Sequence, residues 1–135
     1  MQMPITLMYA SIFALFALVL SFKAGSFRGS SGISVLFGEP KNMELAQRVR
    51  VHQNFLEYVP IFLIAFAAIE INGGSTMFLY VVGDLLILAR VAHAMGLKHD
   101  NMAHKGRFIG AAGTALLTLV TGGYGLWIST KILMG

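Results

Sequence analysis

The stretch RVRVHQNFLEYVP, residues 48–60, runs directly into the apolar IFLIAFAAI. A helix advances about 100° per residue, so Arg50, Asn54 and Glu57 fall within an arc of about 60°. A guanidinium, an amide and a carboxylate therefore share one helical face. Two chemistries suit such a face. It closes a structural ion pair, or it holds a small polyanion that also carries an amine, with arginine forks on the carboxylates and Glu57 on the ammonium. Arg90 and His93 near the end of a later apolar run, and Arg107 at the start of the next, stand at the same level and add to a basic lining. His52 and His93 also suit plain hydrogen-bonded interfacial histidines, and His99 and His104 read as solvated loop residues. No histidine spacing suits zinc, and with no cysteine in the chain there is no thiolate metal site, disulfide or cysteine nucleophile.

The elements that position these groups follow from composition. The chain has 135 residues, 56% of them hydrophobic and only 12% charged, which is the composition of a membrane protein. A bilayer core of about 30 Å needs roughly 20 helical residues per crossing. Residues 4–22, about 55–71, 76–97 and 108–133 supply these runs. An all-α, integral membrane four-helix bundle is expected, as one domain over 1–135. Residues 4–22 lack a positive n-region and exceed a usual signal h-region, so they read as a retained helix. Residues 23–42, rich in glycine and serine, read as a loop, and the second helix is expected to begin near Met43, ahead of the membrane core, with Pro60 inside it.

Charge position sets the expected topology. Lys23, Arg28, Lys41, Arg48 and Arg50 lie between runs one and two, and Lys98, Lys105 and Arg107 between runs three and four. Both basic loops are expected in the cytoplasm, with the termini and the turn Asn72-Gly73-Gly74-Ser75 opposite. The basic excess thus reads as a topology signal and not as a nucleic-acid surface. Gly106, Gly110 and Thr114 form a small-residue ridge of the kind that lets membrane helices approach closely. Met8, Met77, Met95 and Met102 read as packing residues. Asp84 lies near mid-span on a different face from Arg90, where an interhelical or intersubunit hydrogen bond is expected.

The pattern Arg50-x-His52-x-Asn54-x-x-Glu57-Tyr58-x-Pro60 resembles the second-helix motif of the MAPEG family, the membrane-associated proteins in eicosanoid and glutathione metabolism. Arg90-Val-Ala-His93 at the end of run three and an arginine opening run four are similar to that family as well. The resemblance covers most of the chain and is closest to short bacterial members, which implies a multi-pass protein of the bacterial inner membrane. It implies a homotrimer that binds glutathione as co-substrate between subunits, with a lipophilic second substrate arriving from the lipid. By this resemblance Arg50, Asn54 and Glu57 contact the tripeptide's carboxylates and amine, with His52, Tyr58, Arg90 and His93 in the same substrate-binding set. Arg28 corresponds to the family's loop arginine, and Arg107 faces the thiol as the catalytic group. The implied function is a glutathione-dependent transferase or peroxidase; the alternative is a non-catalytic scaffold or binding module on the same fold. The sequence departs from characterised enzymes of the family at Leu97, where several carry tyrosine, and at Phe108 and Ala111, where aromatic or hydroxyl residues occur.

Overall fold

A computed structural model describes residues 2–101 and 104–135. It contains α1 (Pro4–Ser30), α2 (Met43–Ile71), α3 (Thr76–Gly96) and α4 (Lys105–Met134), each long and apolar enough to cross a membrane. Among the described residues there is no strand. α3 packs most extensively on α4, and α1 on α2, while α2 bridges to α4. The tight turn after α2 joins it to α3, yet these two helices touch far less than either touches its main neighbour.

Local sequence explains the helix ends. α1 opens with Pro4 in its first turn, where a missing N–H costs nothing. Glu70, from the far end of α2, then accepts from the Ile5 N–H at 2.9 Å and the Thr6 N–H at 2.6 Å. A carboxylate at this position answers both the orphan donors and the positive end of the helix dipole. Asn42 and Ser75 cap α2 and α3 by accepting from Leu45 and Phe78. Pro60 lies inside α2, which continues on both sides of it.

α1 runs two turns past the expected boundary at residue 22. Its end is a Schellman arrangement: Gly32 at φ 66° donates to the Gly29 carbonyl at 3.2 Å, and Ile33 donates to the Arg28 carbonyl at 3.2 Å. Hydropathy marks where a helix leaves the hydrocarbon, whereas hydrogen bonding marks where it stops.

The core is aromatic and aliphatic. Tyr9, Phe13, Phe55, Phe62, Phe66, Leu79, Val82 and Leu86 are nearly inaccessible. Tyr9 seats its ring against Gly83, whose missing side chain leaves the space. Its hydroxyl donates to Asp84 Oδ1 at 2.7 Å and lies 3.0 Å from the Tyr80 carbonyl. Asp84, exposed on the single chain, thus has the interhelical partner its mid-span position demanded. On α4, Gly106 and Gly110 face α3 directly: a side-chain carbon at Gly110 would meet the His93 backbone, and one at Gly96 would meet Gly106 and Arg107. The small-residue ridge is therefore the α3–α4 seam. Met8, Met77 and Met95 lie on the outer surface of the single chain and not in its core, as apolar groups facing lipid do. Met102 lies outside the described residues.

Candidate functional site

A stripe of α2 at helical spacing, Met43, Ala46, Gln47, Arg50 and Asn54, forms one wall of a cavity of ≈ 370 Å³. His93, Leu97, Lys98 and His99 close it from α3 and the following loop, and Arg107 and Ala111 from α4. Its size lies within the range that holds small ligands. A smaller cavity of ≈ 60 Å³, lined by Asn54, Tyr58, Arg90, Ala111, Thr114 and Ala115, shares Asn54 and Ala111 with it. Together they make a groove from the loop end of the bundle to Arg90.

Arg90 is only 1% exposed, yet its neighbours are neutral. Its Nη2 donates to Asn54 Oδ1 at 2.9 Å and its Nη1 to Thr114 Oγ1 at 3.4 Å. The guanidinium carbon lies 5.5 Å from the Phe55 ring centre, and Nε is buried without a partner. Neither ion pair among the described residues involves Arg90. A buried cation held only by an amide, a hydroxyl and a ring lacks the counter-charge that normally offsets desolvation. One turn along α3, His93 is 4% exposed with Nδ1 buried and unpaired. Close α3–α4 contact at Gly110 fixes the backbone of His93, so both groups stand at the groove by packing.

Arg50 and Glu57, two helical turns apart, form an ion pair at 2.7 Å, with side chains 52% and 47% exposed. A pair so exposed contributes at most about 1 kcal/mol. It is open to exchange with a ligand's own charges.

The structure brings together Arg50, Asn54, His93 and Arg107 at the larger cavity, and Asn54, Tyr58 and Arg90 at the deeper one. Glu57 joins through Arg50. His52 is half-buried on α2 but lines neither cavity. Arg28 also stands apart in this single chain: it lies in the last turn of α1 and donates to the Leu36 carbonyl at 2.9 Å. Arg48, which shares the basic stretch, turns away toward α1, pairing with Glu44 at 2.7 Å.

Three further residues matter here. Gln47 lies three residues before Arg50, so helical spacing alone carries it to the same wall; its Oε1 accepts from the His99 N–H at 2.8 Å. His99 is exposed in the loop, as read from the sequence, and is also anchored to α2 and lines the cavity. His104 is the N-cap of α4, its Nδ1 accepting from Gly106 at 3.2 Å. That bond helps start the helix that carries Arg107. Among the described residues no cluster of histidines and acids suits a metal ion.

Comparison with known proteins adds to this geometry. The family model described as "MAPEG family" matches residues 6–127. The inner membrane protein YecN of Escherichia coli K12 is 28% identical over 116 residues, covering 86% of this chain and 87% of that protein. Its counterpart in Escherichia coli O6:H1 matches to the same extent. No solved structure matches.

Proposed function

The chain belongs to the MAPEG family, and on that premise we propose that it is a glutathione-binding protein of the bacterial inner membrane, working as a homotrimer. The observation that carries the reading is Arg90: a buried guanidinium without an acid, at the base of a groove whose upper wall holds Arg50, Asn54, His93 and Arg107. Glutathione offers two carboxylates, an ammonium and a thiol. The arginines suit the carboxylates, and Glu57 suits the ammonium once Arg50 turns to the ligand. The inner-membrane placement draws on the four apolar helices and on the name of the relative in Escherichia coli.

In this reading Arg107 stabilises the glutathione thiolate. A free thiol, with pKa near 8.5, is mostly protonated at neutral pH, and a nearby guanidinium favours the thiolate. Each unit of lowering corresponds to about 1.4 kcal/mol. The thiolate sulfur then attacks an electrophilic carbon of a lipophilic molecule, forming a C–S bond and expelling the leaving group. Against a hydroperoxide it attacks the outer oxygen instead, leaving an alcohol and oxidised sulfur.

A specific observation favours a second reading, a binding module without turnover. Leu97 and Ala111 line the cavity where several enzymes of the family place hydroxyl or aromatic groups. Conjugation of glutathione to an aryl halide by the detergent-solubilised protein separates the two. Saturable turnover that falls in Arg107→Ala supports the enzyme; glutathione binding with no turnover supports the module; neither signal contradicts both.

A further inference from the structure

A further cavity lies on the neighbouring face of α2 and shares Gln47 with the groove described above. α1 and α3 meet where Tyr9 enters the space over Gly83. Toward the loop end they enclose a cavity of ≈ 410 Å³, whose wall on α2 is Glu44, Gln47, Arg48 and Val51. Its two ends differ in chemistry. Lys23 and Arg48 stand at the rim, whereas Phe16 and Leu20 on α1 and Val91 and Met95 on α3 line the depth.

Depth follows from the sequence. Lys23 is the first charge after the apolar run that begins α1, so its ammonium reaches the headgroup level. Leu20 and Phe16 lie about 4.5 and 10 Å deeper by helical rise. On α3, which runs parallel to α1, Met95 and Val91 descend in the same direction. Val91 and Met95 are exposed on the single chain, so the cavity opens sideways, toward the acyl chains.

Charge at the rim is unbalanced. Arg48 gives one edge to Glu44, lies over the Phe27 ring at 4.5 Å and reaches the Lys23 carbonyl at 3.4 Å, while its Nε is buried without a partner. Lys23 has no side-chain hydrogen bond or ion pair among the described residues, which leaves one uncompensated positive charge beside an unused donor.

We propose that this cleft is a binding site for an anionic phospholipid, with its phosphate at Lys23 and Arg48 and one acyl chain laid between α1 and α3 over Leu20, Phe16, Val91 and Met95. The proposal does not depend on the glutathione reading: of the α2 residues lining the cleft only Gln47 also lines the larger cavity of that groove, and neither Lys23 nor Arg48 does.

The test places a tryptophan at Met95, an exposed position, in a Trp127→Phe background, with the protein in phosphatidylcholine nanodiscs. Brominated phosphatidylglycerol and brominated phosphatidylcholine are compared as quenchers at equal mole fraction. One net charge at the surface gives an expected preference of about fivefold for the anionic lipid. That preference is lost in Lys23→Gln. Equal quenching by the two lipids, a preference that survives Lys23→Gln, or no quenching by either, as when a second copy of the chain fills the cleft, overturns the proposal. Val91→Trp serves as a second reporter should Met95→Trp fail to fold.

Discussion

The Arg90 guanidinium, buried within the bundle, donates to Asn54 Oδ1 at 2.9 Å and so ties α3 to α2 without an acid. A residue placed there for stability alone would be expected beside a carboxylate. Replacing a buried charge by an apolar side chain is often neutral or stabilising, while losing a partner of a buried ligand charge costs about 2 to 5 kcal/mol. Arg90→Met is therefore expected to leave the unliganded protein within about 1.5 kcal/mol of the parent. The same variant is expected to lose most of its glutathione affinity. Thermal melts in detergent with and without glutathione check both. A large loss of stability without ligand would make Arg90 a packing residue.

Arg50→Ala and Glu57→Gln are each expected to weaken glutathione binding by about 1 to 3 kcal/mol, the range for losing a partner of a hydrogen-bonded charge. Their mutual pair is half-exposed, so assembly should survive. Size-exclusion with light scattering, alongside binding, checks this. A variant that no longer assembles, with a folded remainder that binds normally, would return the pair to a structural role.

Gly110→Ala places a methyl group against the His93 backbone and the Ala89 carbonyl. Overpacking of this kind costs about 1 to 3 kcal/mol. Because the strain falls at His93, glutathione binding should weaken with stability, unlike in Gly122→Ala, which meets open space. Parallel melts of the two variants decide the matter, and equal behaviour would contradict the described α3–α4 contact.

Arg107→Ala is expected to lower turnover more than affinity, since the tripeptide is held mainly by α2 and by Arg90 of α3. Arg107→Lys should be intermediate, keeping charge but losing the planar fork. Following the thiolate absorbance of bound glutathione against pH checks the cause: the thiol pKa should rise in Arg107→Ala. An unchanged value would assign activation to another group, with His93 and Arg90 next.

Sidedness rests on the basic loops, which are expected in the cytoplasm. The chain has no cysteine, so single-cysteine variants report cleanly. Cysteine at Ser31 should be shielded from an impermeant maleimide added outside intact cells, and cysteine at Ser75 should react. The reverse pattern would invert the topology.

Much of this was readable from residue types and spacing, and the exceptions share a cause. Apolar runs long enough for a bilayer locate all four helices, and spacing within α2 places Arg50 with Asn54 and Glu57. Spacing says nothing of residues distant in sequence. That Tyr9 answers Asp84, and Glu70 the start of α1, depends on contacts across 75 and 65 residues. The burial of Arg90 is of the same kind, because its partners lie on α2 and α4. Helix ends set by hydrogen bonding, at Gly32 and His104, escape hydropathy altogether.

Glutathione binding at the Arg90 groove is the centre of this account, and calorimetric titration of glutathione into the purified protein in detergent tests it most directly. Saturable binding at one site per chain is predicted for the parent, weakened in Arg50→Ala and largely lost in Arg90→Met. No saturable binding to the folded parent, or equal binding by all three proteins, would contradict it.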